Sequence, residues 1–142
     1  SRDFYRRTIH HEIFHLMDSK FSVKGGPIHG TNWTDLNEKG FRFKLDYSAA
    51  DQPFFTKDNA GRLGFAEPYG MNVATDDRAT LYGRLMAEDK LFFERLKTDK
   101  ILKVKTDRIL EFFQLIKRDL GIMSTSSFFI KIEGMFPVKK ES

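Results

Sequence analysis

The sequence predicts a single, mainly helical α+β domain, and three observations carry that reading. Apolar residues recur at helical spacing in three segments, about 4–17, 75–96 and 99–120. A stretch between the first two, from Gly25 to Gly70, is punctuated by glycine and proline, with short alternating runs inside it and near the C-terminus. The 142 residues are 40% hydrophobic and 14% aromatic, with fifteen phenylalanines, which suits one domain with a phenylalanine-rich core.

Each element has a local reason. In the first helix Phe4, Ile9, Ile13, Leu16 and Met17 mark one apolar face, and Asp3 is placed to cap its start. Ile9, Ile13 and Leu16 predict that this helix is buried. Between Gly25 and Gly70, residues 34–37 suggest one helical turn, and the alternation of 41–45 suggests a half-buried strand. So long a connection usually has a function, such as forming one wall of a cleft. The second helix, 75–96, carries Ala79, Leu81, Tyr82, Leu85, Met86 and Phe92. The third, 99–120, carries Ile101, Ile109, Leu110, Phe112, Phe113 and Ile116, with Gly121 as its stop. Residues 128–132 suggest a short strand, and the position of Pro137 near the terminus suggests a loose tail.

Composition narrows the chemistry. The net charge of +4 comes from 24 basic and 20 acidic residues. The densest basic run, Lys97 to Lys105, is interleaved with Asp99 and apolar residues. It reads as a solvated helix face and linker rather than a nucleic-acid surface, which wants clustered cations. Cysteine is absent, which excludes disulfides, thiolate metal sites and a cysteine nucleophile. No apolar run approaches membrane-spanning length, so no membrane partner is expected. The chain opens on Ser1-Arg2-Asp3-Phe4, almost directly on a helical pattern, as a fragment or processed product would.

Three of the four histidines fall at 10, 11 and 15. In His11-Glu12-Ile13-Phe14-His15 the two outer histidines are four apart, so both imidazoles share one helix face and can meet one ion. Glu12 is rotated by about 100° from His11, where its carboxylate reaches a water on that ion without displacing a ligand. That is the arrangement metal-assisted hydrolysis needs: the metal acidifies the water and the carboxylate takes its proton. The same five-residue pattern also arises by chance in helices that bind nothing. His10 lies off the shared face and reads as a supporting or surface residue. A catalytic zinc site wants a third protein ligand. His29 in the glycine-rich loop is a weak candidate, and the carboxylates Glu67, Asp76, Asp77 and Glu88 are the others.

A second segment, Tyr69-Gly70-Met71-Asn72 followed by Asp76-Asp77-Arg78-Ala79-Thr80, bears on that choice. Together with the first motif it resembles the HExxH zinc metallopeptidases of zincin, gluzincin-like type. The resemblance is to the bacterial zinc-binding metallopeptidases related to the catalytic domain of anthrax lethal factor. The likeness spans about residues 4–120 and includes Asp18 three residues past His15, Trp33, Leu36, Asn37 and Gly40-Phe41. It implies a zincin-like fold, zinc held by His11, His15 and Asp76, and Glu12 as general base. It implies Tyr69 as a hydrogen-bond donor to the developing oxyanion, and Asp77 and Asp18 as supporting residues, Asp77 orienting a histidine. It also implies a peptide or protein substrate, and it slightly favours a secreted or extracytoplasmic setting. By themselves, Asp76 and Asp77 read as first-turn acids that suit a helix dipole, Tyr69 as a core tyrosine before a turn, and Asp18 as a structural hydrogen-bonder.

The chain departs from the family pattern in three ways. The ligand position holds Asp76 instead of Glu, one methylene shorter, so the second helix must come closer to the first. Thr80 stands where the pattern has a second Glu. The upstream sheet expected beside the first helix is missing from this chain. The expected activity is zinc-dependent peptide hydrolysis. The alternative is a zinc-containing domain that binds peptides or proteins without cutting them.

Overall fold

A computed structural model of the chain describes residues 2–44 and 63–120. They form five α-helices: α1 (Arg2–Phe21), α2 (Thr31–Thr34), α3 (Ala74–Met86), α4 (Lys90–Leu96) and α5 (Lys100–Leu120), with a 3-10 turn at Pro68–Met71 before α3. The mainly helical expectation holds, and no strand occurs among the described residues. Phe41 to Lys44 are not the expected strand. The Phe41 amide donates to the Glu38 carbonyl at 3.0 Å, which turns the chain. The alternating aromatics Phe41 and Phe43 pack instead with Phe65 and Met71 in a small separate cluster. The turn expected at 34–37 lies three residues earlier, as α2, where Trp33 is fully buried. The strand expected at 128–132 and the stop at Gly121 lie outside the described residues.

Helix α3 is buried almost all round, from Asp77 to Met86, which makes it the central element. Helix α1 runs antiparallel along it. Arg7 lies opposite Gly83, His15 opposite Asp76, and Asp18 opposite Arg78. Gly83 permits this closeness, because a Cβ there would sit 2.9 Å from the Arg7 carbonyl oxygen. The α1 face turned inward carries Arg7, His11, Phe14 and Asp18, spaced four, three and four apart. Phe14 is its apolar anchor, ringed by Tyr82, Phe112 and Phe113 with centroids 5.0–6.4 Å away. Burying such a ring contributes about 2–3 kcal/mol.

This overturns the expectation that Ile9, Ile13 and Leu16 are buried. They are 57%, 41% and 73% exposed, and Tyr5 is 66% exposed. The most apolar stripe of α1 faces outward, because the opposite face has the steric match to α3. The expected helix over 75–96 is also two helices. Glu88 adopts a left-handed φ of 54°, and Asp89 then starts α4, its carboxylate accepting from the Phe92 amide at 3.0 Å. Helix α5 starts in the same way on Asp99, which accepts from the Leu102 amide at 2.9 Å.

Candidate metal centre

The antiparallel packing of α1 and α3 brings His11, His15 and Asp76 together, with one donor atom from each within 4.8 Å of the others. The two Nε2 atoms are 3.0 Å apart. Asp76 Oδ1 lies 3.2 Å from His15 Nε2 and 3.9 Å from His11 Nε2. Donor atoms about 2.0–2.2 Å from a tetrahedral zinc lie roughly 3.3–3.6 Å from one another. The observed distances bracket that range, and two imidazoles with one carboxylate suit zinc, so the residues present fit the ion. Burial, and then the neighbouring His15, lower the His11 pKa below its ordinary 6.5, against the raising effects of Glu12, Asp76 and Glu67. The shift favours the neutral imidazole, the form that ligates a metal.

Of the other candidate ligands, His29 is exposed in the loop before α2, and Glu88 lies at the joint between α3 and α4. Neither belongs to this cluster. Glu67 is held by Arg84 at 2.6 Å. His10 packs edge-on against Tyr82, with centroids 6.0 Å apart.

A cleft of about 420 Å³ opens beside the cluster, lined by Phe4, Thr8, His11, Glu12 and Tyr69, with Gly83 in its wall. Glu12 is exposed to this cleft next to His11. Tyr69 is 55% exposed, with its ring centroid 6.0 Å from that of His11. It is therefore a wall of the cleft and not a core tyrosine. The turn that carries it rests on α3 through Gly70, where a Cβ would meet Thr80 Oγ1 at 3.0 Å and Asp77 Cα at 3.2 Å. Thr80 is buried beneath this turn, its hydroxyl donating to the Asp77 carbonyl.

Asp77 does not orient a histidine. It is fully buried, and its Oδ2 accepts from Trp33 Nε1 at 2.9 Å and from Lys105 Nζ at 2.8 Å. Burial pushes the Asp77 carboxyl up and the Lys105 ammonium down, while their pairing opposes both shifts. Asp18 also holds α3, accepting from Arg78 Nε at 2.7 Å, while Arg78 reaches the Ile28 carbonyl.

Lys105 corrects the reading of Lys97–Lys105 as a solvated face. Lys97 is solvated and pairs with Glu94, but Lys105 has no exposed surface. The signal was present in the sequence. Leu102, Lys105, Ile109, Phe112 and Ile116 recur three and four apart, so Lys105 occupies a core position of the α5 stripe. No family model matches the chain, and neither a curated protein nor a solved structure matches it.

Proposed function

We propose that this chain is the zinc-binding catalytic part of a zincin-like metallopeptidase that hydrolyses peptide bonds. The observation that carries the reading is the convergence of His11, His15 and Asp76, from two antiparallel helices, at the edge of a cleft to which Glu12 is exposed. Any one of these residues is commonplace. Three donors spaced for one ion, with a carboxylate beside them and open space in front, are what metal-assisted hydrolysis requires.

Zinc, when bound, supplies Lewis acidity and a water acidified for attack near neutral pH. His11, His15 and Asp76 would hold the ion, and the cleft beside His11 would admit substrate. Glu12 accepts the proton of the attacking water and hands it to the departing amine. Tyr69, exposed across the cleft, donates its hydroxyl proton in a hydrogen bond to the oxygen of the peptide carbonyl as charge develops there.

Glu12→Gln is the direct test. It removes the base and keeps both histidines, so the variant retains stoichiometric zinc and loses hydrolysis by about 100-fold or more. The measurement is zinc content together with cleavage of a mixed peptide library. A variant that cleaves as fast as the parent sinks the mechanism. One observation favours a second reading, a zinc-containing domain that binds peptides without cutting them. The described walls of the cleft are helix and turn, with no strand edge to pair with an extended peptide backbone. On that reading, zinc-loaded parent protein retains peptides and leaves them intact.

A further inference from the structure

The buried Lys105 is not needed to fill space. An apolar side chain of similar length in its place, with the charge at Asp77 also removed, is commonly as stable as a buried ion pair or more so. Its ammonium is held by polar and aromatic partners instead. It donates to Asp77 Oδ2 at 2.8 Å and to the Gly64 carbonyl at 2.7 Å, and it lies 3.9 Å from the centroid of the Phe65 ring. One cation from α5 therefore ties down two separate segments that lead to the site. The first is the opening turn of α3, which carries Asp76. The second is the segment leading into the turn that carries Tyr69. Trp33, from α2, donates to the same Asp77 oxygen.

The opening turn of α3 needs such an external hold. Its N-cap is Val73, which makes no side-chain hydrogen bond to the helix. A helix start without a cap leaves its first amides unsatisfied and frays readily. Asp76 lies in that turn, so its carboxylate meets the two histidines only if the turn is held in place.

We propose that Lys105 and Trp33 are positioning residues for the metal centre, clamping the Asp77 carboxylate so that the adjacent Asp76 is presented to His11 and His15. The clamp touches neither the ion's ligand atoms nor the cleft. The proposal rests on the reading of those three residues as a metal site.

The test uses the full chain and two variants. Lys105→Met with Asp77→Asn removes the ion pair without leaving a lone buried charge. Trp33→Phe removes the indole donor and keeps an aromatic ring, smaller than the buried indole that faces Lys105 and Arg78. Zinc affinity is measured by competition with a chromophoric chelator, the visible spectrum of the cobalt-loaded protein reports ligand geometry, and the melt of the metal-free protein reports folding. The double variant melts near the parent when metal-free, binds zinc roughly 10–100-fold more weakly and shows an altered cobalt spectrum. Trp33→Phe shifts both metal readouts in the same direction by a smaller factor, and it decides the matter if the double variant does not fold. Parental zinc affinity and cobalt spectrum in the folded variants overturn the positioning role alone. A parent chain that takes up neither metal overturns the metal centre and the clamp with it.

Discussion

At the scale of single residues, the cluster depends on which atoms point where. His11 and His15 share a face because they are four apart, and that holds in any helix. Asp76 joins them because its short side chain starts from a helix that is already close. Tyr69 has no such constraint from spacing. Its exposure and its 6.0 Å separation from the His11 ring identify it as a cleft residue. Tyr69→Phe keeps the ring and loses only the hydroxyl. The expected result is unchanged zinc affinity and peptide hydrolysis slower by about 100-fold, the usual cost of one oxyanion donor. Steady-state kinetics on zinc-verified protein decide it, and unaltered turnover removes Tyr69 from the mechanism.

At the scale of elements, the decisive contact is that of α1 with α3. Gly83 lets the backbones approach, with the Arg7 carbonyl oxygen 2.9 Å from where a Cβ would be. Gly83→Ala gains a little helix propensity, about 1 kcal/mol, and forces the two helices apart, which costs about 1–3 kcal/mol. The candidate ligands are divided between these helices, so the same change spreads the donor set. The variant is expected to be no more stable than the parent and to bind zinc at least several-fold more weakly. A chelator titration checks this, and a variant that is both stabilised and undiminished in zinc affinity contradicts the close-approach account. The split of the expected long helix into α3 and α4 is also an element-level effect. A left-handed Glu88 and the Asp89 cap end one helix and begin another.

At the scale of the whole molecule, Asp89 ties three helices together. It caps α4, pairs with Arg84 of α3 at 2.5 Å and lies 3.5 Å from Arg7 of α1. Burial acts to raise its pKa, but the Phe92 amide, Arg84 and Arg7 together outweigh it and hold the carboxyl below its ordinary 3.8. A carboxyl depressed on folding stabilises the fold above the unfolded-state pKa of about 3.9, and this is lost as pH falls through the lower folded value. Asp89→Asn is therefore expected to cost about 2 kcal/mol at pH 7, because it weakens charged hydrogen bonds to a half-buried arginine. The gap between parent and variant then narrows below about pH 4. Denaturant unfolding from pH 7 to pH 3 measures it, and a gap that stays constant with pH excludes this origin.

The helical character of the domain, the helix that carries His11 and His15, and the acids available to join them are legible in the sequence. These are local properties, set by the 3.6-residue repeat and by the preference of Asp for helix starts. It misjudged which face of α1 is buried. Hydrophobicity marked Ile9, Ile13 and Leu16, while the packed face is the one with Phe14 between polar residues. It also read an aromatic alternation at 41–45 as a strand and a core lysine as a solvated one. The packing of the helices is what brings Asp76, of the five candidate residues, to His11 and His15, opens a cleft at Glu12, and places Lys105 and Trp33 on Asp77. The physical reason is that these relations join segments far apart in the chain. Their geometry is set by the close packing of helices, which spacing along one helix does not encode.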